Sequence, residues 1–481
     1  MNTDSSCYGT PVFVCIFRSP AFFDLQKIDK SYPENGITDG VSRSIRLNLS
    51  SPFCCCFSCF MKAKSLFLLY AMIIGIAAGF GGVFLSLLLH GLQHLAFGYG
   101  HHLFDESETF LAGVSSASVT RRSIVLTVCG VLAGVGWWAM YRFGAPLVTI
   151  KTALRDDQAR FPRMVTVVHA CLQVMTVALG SPLGRETAPR EIGALAAGLL
   201  TERCRLTGED RRILIACGAG AGLAAVYNVP LAAVVFTLET LVCSFRQRVI
   251  IPVILSSGMA TLVARWIMGN TVQYHIPLDD VSNALLGWAL VCGPVLGAGA
   301  FVFRQLTSHG QAHAPRQGWL PVLTLLNFIG IAAVAVYFPQ ILGNGKGPAQ
   351  ISFDNQVTIG LALILLVLKV ASVWSTLRCG ARGGLLTPGI ATGALLATVL
   401  GGLWNMLVTG SAIPLGGYAV VGAAGFLATS MQMPLTAIIL MLELTHAHFE
   451  FVYPMVICVG GSVLMHKLCL IGMEASRRPT T

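Results

Sequence analysis

The sequence predicts an all-α polytopic membrane protein made of two related halves of tilted, partly broken helices. Three observations lead there: a shortage of charge, a train of apolar segments, and an internal repeat. Only 11% of the 481 residues are charged and 54% are hydrophobic, whereas a soluble domain carries about 25% charged residues. The 51 glycines fit helices that pack closely in lipid, where small residues let backbones approach. The net charge of +10 is not laid out as a nucleic-acid-binding stripe, and no nucleic-acid partner is expected. Its Lys and Arg fall in short loops (Arg203, Arg205, Arg211, Arg212, then Arg246 and Arg248). Such loops read as cytoplasmic by the positive-inside tendency, from which Arg121 and Arg122 depart.

Residues 1–60 differ from the rest, mixing Pro, Ser, Asn and charge with no helical period. Met61-Lys62-Ala63-Lys64 then opens a long apolar segment. The expected start is therefore Met61, with 1–60 either upstream translation or a disordered segment. A cleaved signal peptide is not expected, because no small-residue cleavage site follows and the helix is too long. Cys54, Cys55, Cys56 and Cys59 have the look of a metal cluster, but they sit in this atypical segment. The other cysteines of the 15 are scattered through apolar helices, where free Cys behaves as a small hydrophobe. No metal and no cofactor are expected.

Apolar segments follow near 65–95, 123–141, 163–180, 192–201, 213–241, 249–268, 283–306, 319–338, 357–377, 388–408, 417–445 and 451–471. A bilayer span needs about 20 apolar residues. Some segments are long enough; others are short or broken, as at Pro230 and Pro434. Broken helices at membrane depth are tolerated where they are buried in protein or line a cavity.

The repeat is visible within the chain. Laying Gly218–Glu239 on Gly422–Glu443 matches Gly218 with Gly422, Leu223 with Leu427, Pro230-Leu231 with Pro434-Leu435, and Leu238-Glu239 with Leu442-Glu443. A similar overlay puts Gly184 on Gly384 and Gly193-Ala194-Leu195 on Gly393-Ala394-Leu395. The halves run about 65–270 and 283–475. Repeats with interrupted helices mark transporters, whose substrate sites lie near the midplane where half-helix N-termini meet.

The run Gly184-Arg185-Glu186-Thr187-Ala188-Pro189-Arg190-Glu191 places four charged side chains between apolar segments. Charge at membrane depth is costly and is functional by default. The run also reads as a helix start, whose free N–H groups favour an anion. Two further starts are expected at Gly144-Ala145-Pro146, with a helix to about Leu154, and at Gly383-Gly384-Leu385-Leu386-Thr387-Pro388. Pro146 would suit a first helical position. Converging starts suit a small dehydrated anion. In the overlay Glu186 falls on Leu386, so only one half supplies a carboxylate.

These motifs, in this order and repeat, resemble the CLC family of chloride channels and proton-coupled anion exchangers over about 65–475. The family's Gly-Arg/Lys-Glu-Gly-Pro motif appears as Gly184-Arg185-Glu186-Thr187-Ala188, and its Gly-x-Phe-x-Pro motif as Gly384-Leu385-Leu386-Thr387-Pro388. Gly218–Ala232 and Pro434-Leu435-Thr436-Ala437 with Glu443-Leu444-Thr445 are also very like the family's. The resemblance implies a CLC-like fold of two inverted-topology repeats, a homodimer with one pore per subunit, and a multi-pass place in a bacterial inner membrane among its lipids. It implies that Glu186 is the gating glutamate, occupying an anion site when charged and clearing it when protonated or swung away. The anion, chloride first, would be held mainly by backbone amides around Gly144, Ala145, Gly184, Arg185, Thr187, Gly384, Leu385 and Leu386, and protons would be possible co-substrates.

The departures from the family pattern are informative. The first motif, usually Gly-Ser-Gly-Ile-Pro, reads Gly144-Ala145-Pro146-Leu147-Val148, which removes the serine hydroxyl. Leu386 replaces the phenylalanine, and Ala475 stands where the C-terminal tyrosine is expected. The central site would then rely on the N–H groups of Leu385 and Leu386. The inner proton-transfer glutamate is replaced by Thr240. Glu239, duplicated in Glu443, reads as a helix-end residue before a proton carrier. His169 reads as a hydrogen-bonded core histidine before a proton or anion contact. Alternatives from the same family are a fluoride exporter and a non-conducting relative. An intramembrane enzyme would need a nucleophile–base pair or a metal set, for which Glu239, Glu443, His446 and His448 are poor candidates. The last apolar segment ends close to residue 481, so nucleotide-binding domains are not expected.

Overall fold

The computed structural model describes residues 52–98, 109–270, 272–277, 282–408 and 413–477, with side chains between 65 and 474. The chain divides into two compact units, Met1–Phe67 and Leu68–Thr481, and the second holds the repeat. The regular elements among the described residues are all helices, with one isolated β-bridge. In chain order the helices are α1 (Pro52–Phe97), α2 (Phe110–Ser116), α3 (Val119–Phe143), α4 (Ile150–Arg155), α5 (Arg163–Ala178) and α6 (Thr187–Arg203). Next come α7 (Gly208–Tyr227), α8 (Pro230–Phe236, continued by a π-helical turn Thr237–Val242) and α9 (Gln247–Met268). The second half supplies α10 (Asn283–Ala312), α11 (Leu320–Ala335), α12 (Lys346–Phe353), α13 (Ile359–Arg378), α14 (Leu386–Leu407), α15 (Leu415–Ser430), α16 (Pro434–Thr445) and α17 (Val452–Arg477).

The backbone is helical from Pro52, ahead of Met61. The side chains of Cys54, Cys55, Cys56 and Cys59, and that of Ala475, lie outside the described residues. Among the described residues, seven helices are long and apolar enough to cross a membrane, including Val119–Phe143, Asn283–Ala312 and Leu386–Leu407. Shorter apolar helices, such as Arg163–Ala178, Leu320–Ala335 and Leu415–Ser430, are the partly broken elements.

The halves repeat element by element. The α6–α7 hairpin of the first half corresponds to α14–α15 of the second, and both are closely packed pairs. Glycine makes this possible: a Cβ added at Gly193 would strike the Gly218 carbonyl, and one at Gly222 the Pro189 carbonyl. Equivalent residues also end equivalent helices. Asn228 stops α7 and Gln432 follows α15, each in the left-handed region at φ 58° and 56°, a common way to close a helix. Pro230 and Pro434 then open α8 and α16 at the first position, where the missing N–H has no helical partner to lose.

The two halves share one apolar core. It joins Leu223, Ala224 and Phe236 to Leu386, Ile390, Ala423 and Leu427. Reciprocal glutamates tie α8 to α16. Glu443 accepts the N–H groups of Leu231 (3.0 Å) and Ala232 (2.6 Å). Glu239 accepts those of Leu435 (3.0 Å) and Thr436 (2.8 Å), and also the Thr436 hydroxyl (2.6 Å). Each half thus caps the helix start of the other, where free N–H groups and the helix dipole favour a carboxylate.

Candidate functional site

The overlay of Gly184 on Gly384 becomes a physical contact. The two residues form an antiparallel bridge in which each N–H donates to the other's carbonyl at 2.8 Å. Such an exchange between equivalent residues is what a local two-fold axis requires. The bridge sets the starts of α6 and α14 side by side. A Cβ built at either glycine would land on the Glu186 carboxylate, so glycine is needed here for close approach rather than for a turn.

Glu186 occupies the N-cap position of α6 and is only 1% exposed. Its side chain does not cap its own helix. The Oε1 atom accepts the N–H of Leu386, the first residue of α14. The Oε2 atom lies 3.4 Å from the Tyr227 hydroxyl, which is itself 2.9 Å from Thr387 Oγ1. Arg185 places its guanidinium 5.4 Å from the centre of the Tyr227 ring, and Arg190 lies 4.5 Å from that of Phe236. A buried carboxylate is thus held by a helix start of the opposite half and faces a hydroxyl. These are groups that would equally hold a small anion. Protonation removes the charge that makes those hydrogen bonds strong, so the hold on this side chain weakens in acid.

The remaining expected site residues divide. Thr187 begins α6 and Leu385 is the N-cap of α14, next to Glu186 and Leu386. The amides of Gly184 and Gly384 are consumed by the bridge. Each glycine also leaves space for the carboxylate. The helix expected from Pro146 begins instead at Ile150, capped by the Thr149 hydroxyl. Gly144 closes α3 with its N–H on the Met140 carbonyl, and Ala145 is exposed in the extended link that follows. Pro146 is compatible with a first helical turn, but Thr149 provides a hydroxyl cap that the earlier position lacks.

His169 is buried, with Nδ1 2.8 Å from Glu191 Oε2; Gln173 Nε2 donates to the same oxygen at 3.1 Å. Thr240 is exposed on the π-helical turn that follows α8. Glu239 has both carboxylate oxygens engaged on α16.

Four residues were not anticipated: Tyr227, Thr387, Glu191 and Lys369. A signal existed for Tyr227, since the overlay that pairs Glu239 with Glu443 sets it on Met431. Nothing in the spacing links it to Thr387, 160 positions later. Lys369 is fully buried on α13 and donates to the carbonyls of Ile341 (3.0 Å) and Gly343 (2.6 Å). The space beside Gly345 is bounded by Lys369 Cε, Thr387 O and Ala391 Cβ, so the buried lysine side chain lies close to the first turn of α14.

Comparison with known proteins gives a consistent picture. A family model described as voltage gated chloride channel matches residues 125–467. The chain is 28% identical over 418 residues to an H(+)/Cl(-) exchange transporter ClcA of Vibrio campbellii, covering 83% of this chain and 86% of the relative. It is 29% identical to a voltage-gated ClC-type chloride channel ClcB of Citrobacter koseri, covering 83% of this chain and 96% of the relative. Among solved structures it is similar in fold to a slow cyanobacterial Cl-/H+ antiporter, with TM-score 0.71, 17% identity, and coverage of 86% of this chain and 98% of the other. A CLC-type fluoride/proton antiporter gives TM-score 0.61 at 20% identity, covering 84% and 96%.

Proposed function

Because the chain belongs to the voltage gated chloride channel family, we propose that it carries chloride across a bacterial inner membrane through a path that Glu186 opens and closes. Anion transport, as a channel or an exchanger, is the activity of the family, and the chain is an integral multi-pass protein. The observation that carries the gate is the Glu186 carboxylate lying on the Leu386 N–H at the start of α14, beside the Tyr227 hydroxyl. In that position it fills the place an anion would take. Protonation, or a swing of the side chain, vacates it and leaves the donors to the anion. The homodimer, and proton movement through Glu186, belong to the same reading.

Glu239 stays outside the proton path in this reading, because its two oxygens serve α16. Thr240 offers a hydroxyl and no carboxylate. His169 is engaged with Glu191 one turn beyond Glu186 on α6.

The test is chloride efflux from proteoliposomes at acid and neutral pH, with and without an imposed proton gradient. The Glu186→Gln variant should change the flux and lose most of its pH dependence. A pH profile identical to that of the unmodified protein would reject the gate.

A further inference from the structure

We propose that Tyr227 and Thr387 form a hydroxyl relay that grips the transported anion and favours a compact halide over a charge-diffuse anion. The proposal rests on the reading that the Glu186 carboxylate occupies an anion site. Tyr227 is the last residue of α7, placed by the left-handed turn at Asn228. Its side chain is 5% exposed and Thr387 is 2% exposed, so neither hydroxyl can rely on bulk water for a partner. The short contact, 2.9 Å, is between the two hydroxyls; the longer one, 3.4 Å, runs from the phenol to Glu186 Oε2.

The proton count selects one arrangement. Each hydroxyl has a single hydrogen. If Thr387 donates to Tyr227, the phenol hydrogen is free to point at Glu186, and both donors are used in one direction. Hydrogen bonds in such a chain polarise and strengthen one another. The two carboxylate oxygens then meet different donors: Leu386 N–H from the second half and Tyr227 O–H from the first. When the carboxylate leaves, the same two donors face the vacated volume.

The repeat supports a functional origin for Tyr227, whereas Thr387 has its own counterpart in Thr187. The second half keeps the helix end, with Gln432 in the left-handed region as Asn228 is, but it has Met431 where the first has Tyr227. The fold therefore does not need a hydroxyl at this corner. The hydroxyl occurs only in the half that also carries Glu186. A compact halide, with its charge on one atom, accepts such a bond more strongly than nitrate, whose charge is spread over three oxygens.

The test is anion binding by titration calorimetry in a Glu186→Ala background, where the site is vacated. Adding Tyr227→Phe should weaken chloride binding about tenfold or more, the usual effect of losing a hydrogen bond to a charged group, and weaken nitrate binding much less. Adding Thr387→Val instead should weaken chloride binding a few-fold, because the phenol loses its orienting partner; this variant decides the matter if the tyrosine variant does not fold. Chloride affinity within twofold of the background in either folded variant, or equal losses for chloride and nitrate, would overturn the proposal. If Glu186→Ala alone bound neither anion, the anion-site reading itself would fall, and this proposal with it.

Discussion

The two repeated glutamates offer a test that separates scaffold from proton chemistry. Replacing Glu239 with Ala strands the N–H groups of Leu435 and Thr436 and the Thr436 hydroxyl. Thr436 is fully buried. A buried donor left without an acceptor costs about 1–3 kcal/mol. At that cost each, the three stranded donors amount to about 3–9 kcal/mol. Replacing Glu443 strands only the N–H groups of Leu231 and Ala232, so about 2–6 kcal/mol is expected. Thermal unfolding in detergent should therefore rank Glu239→Ala below Glu443→Ala, and both below the unmodified protein. Glu239→Gln keeps one acceptor oxygen but turns an amide NH2 toward donors, and should fall between Glu239→Ala and the unmodified protein. Its chloride flux should retain its pH dependence. If Glu239→Gln unfolded at the unmodified midpoint and lost proton-dependent flux, the capping account would be wrong and a proton role would replace it.

Two further perturbations probe the site and its support. Gly384→Ala puts a methyl group where the Glu186 carboxylate lies; it should evict the gate and give flux at neutral pH close to that in acid, read in proteoliposomes, and an unchanged pH profile would contradict the geometry. His169→Leu leaves the Glu191 carboxylate with Gln173 as its side-chain partner and should cost about 1–3 kcal/mol, as removing one partner of a buried hydrogen bond does. The joint change His169→Leu with Glu191→Met should cost less, and a double variant no more stable than the single would show that the pair is not an energetic unit.

The fold was legible where residue type alone determines the backbone. Pro230 and Pro434 mark helix starts, and the glycines of the repeat mark close approaches, because in each case few other residues could do the job. The same overlay that pairs Gly184 with Gly384 in sequence pairs them in space as a bridge. It also separates Glu239 and Glu443, which stabilise each other's halves, from Glu186, which has no counterpart. The sequence was less informative at 144–149. There Pro146 is compatible with a helix start, but Thr149 supplies the cap, and helix boundaries depend on such single hydrogen bonds. It was silent on Tyr227 with Thr387 and on His169 with Glu191, since side-chain pairs formed between separate helices leave no spacing to read. The amides of Gly184 and Gly384 illustrate the same limit: a helix start looks like a free donor until its partner strand is known.

The central claim is that the Glu186 carboxylate sits in an anion site built from the Leu386 N–H and the Tyr227 hydroxyl. Anomalous scattering from a crystal of the Glu186→Ala variant grown in bromide tests it most directly. A bromide peak within hydrogen-bond distance of Leu386 N, in the volume the carboxylate leaves, is the predicted result. A well-ordered crystal with bromide elsewhere and none at that position would contradict the account.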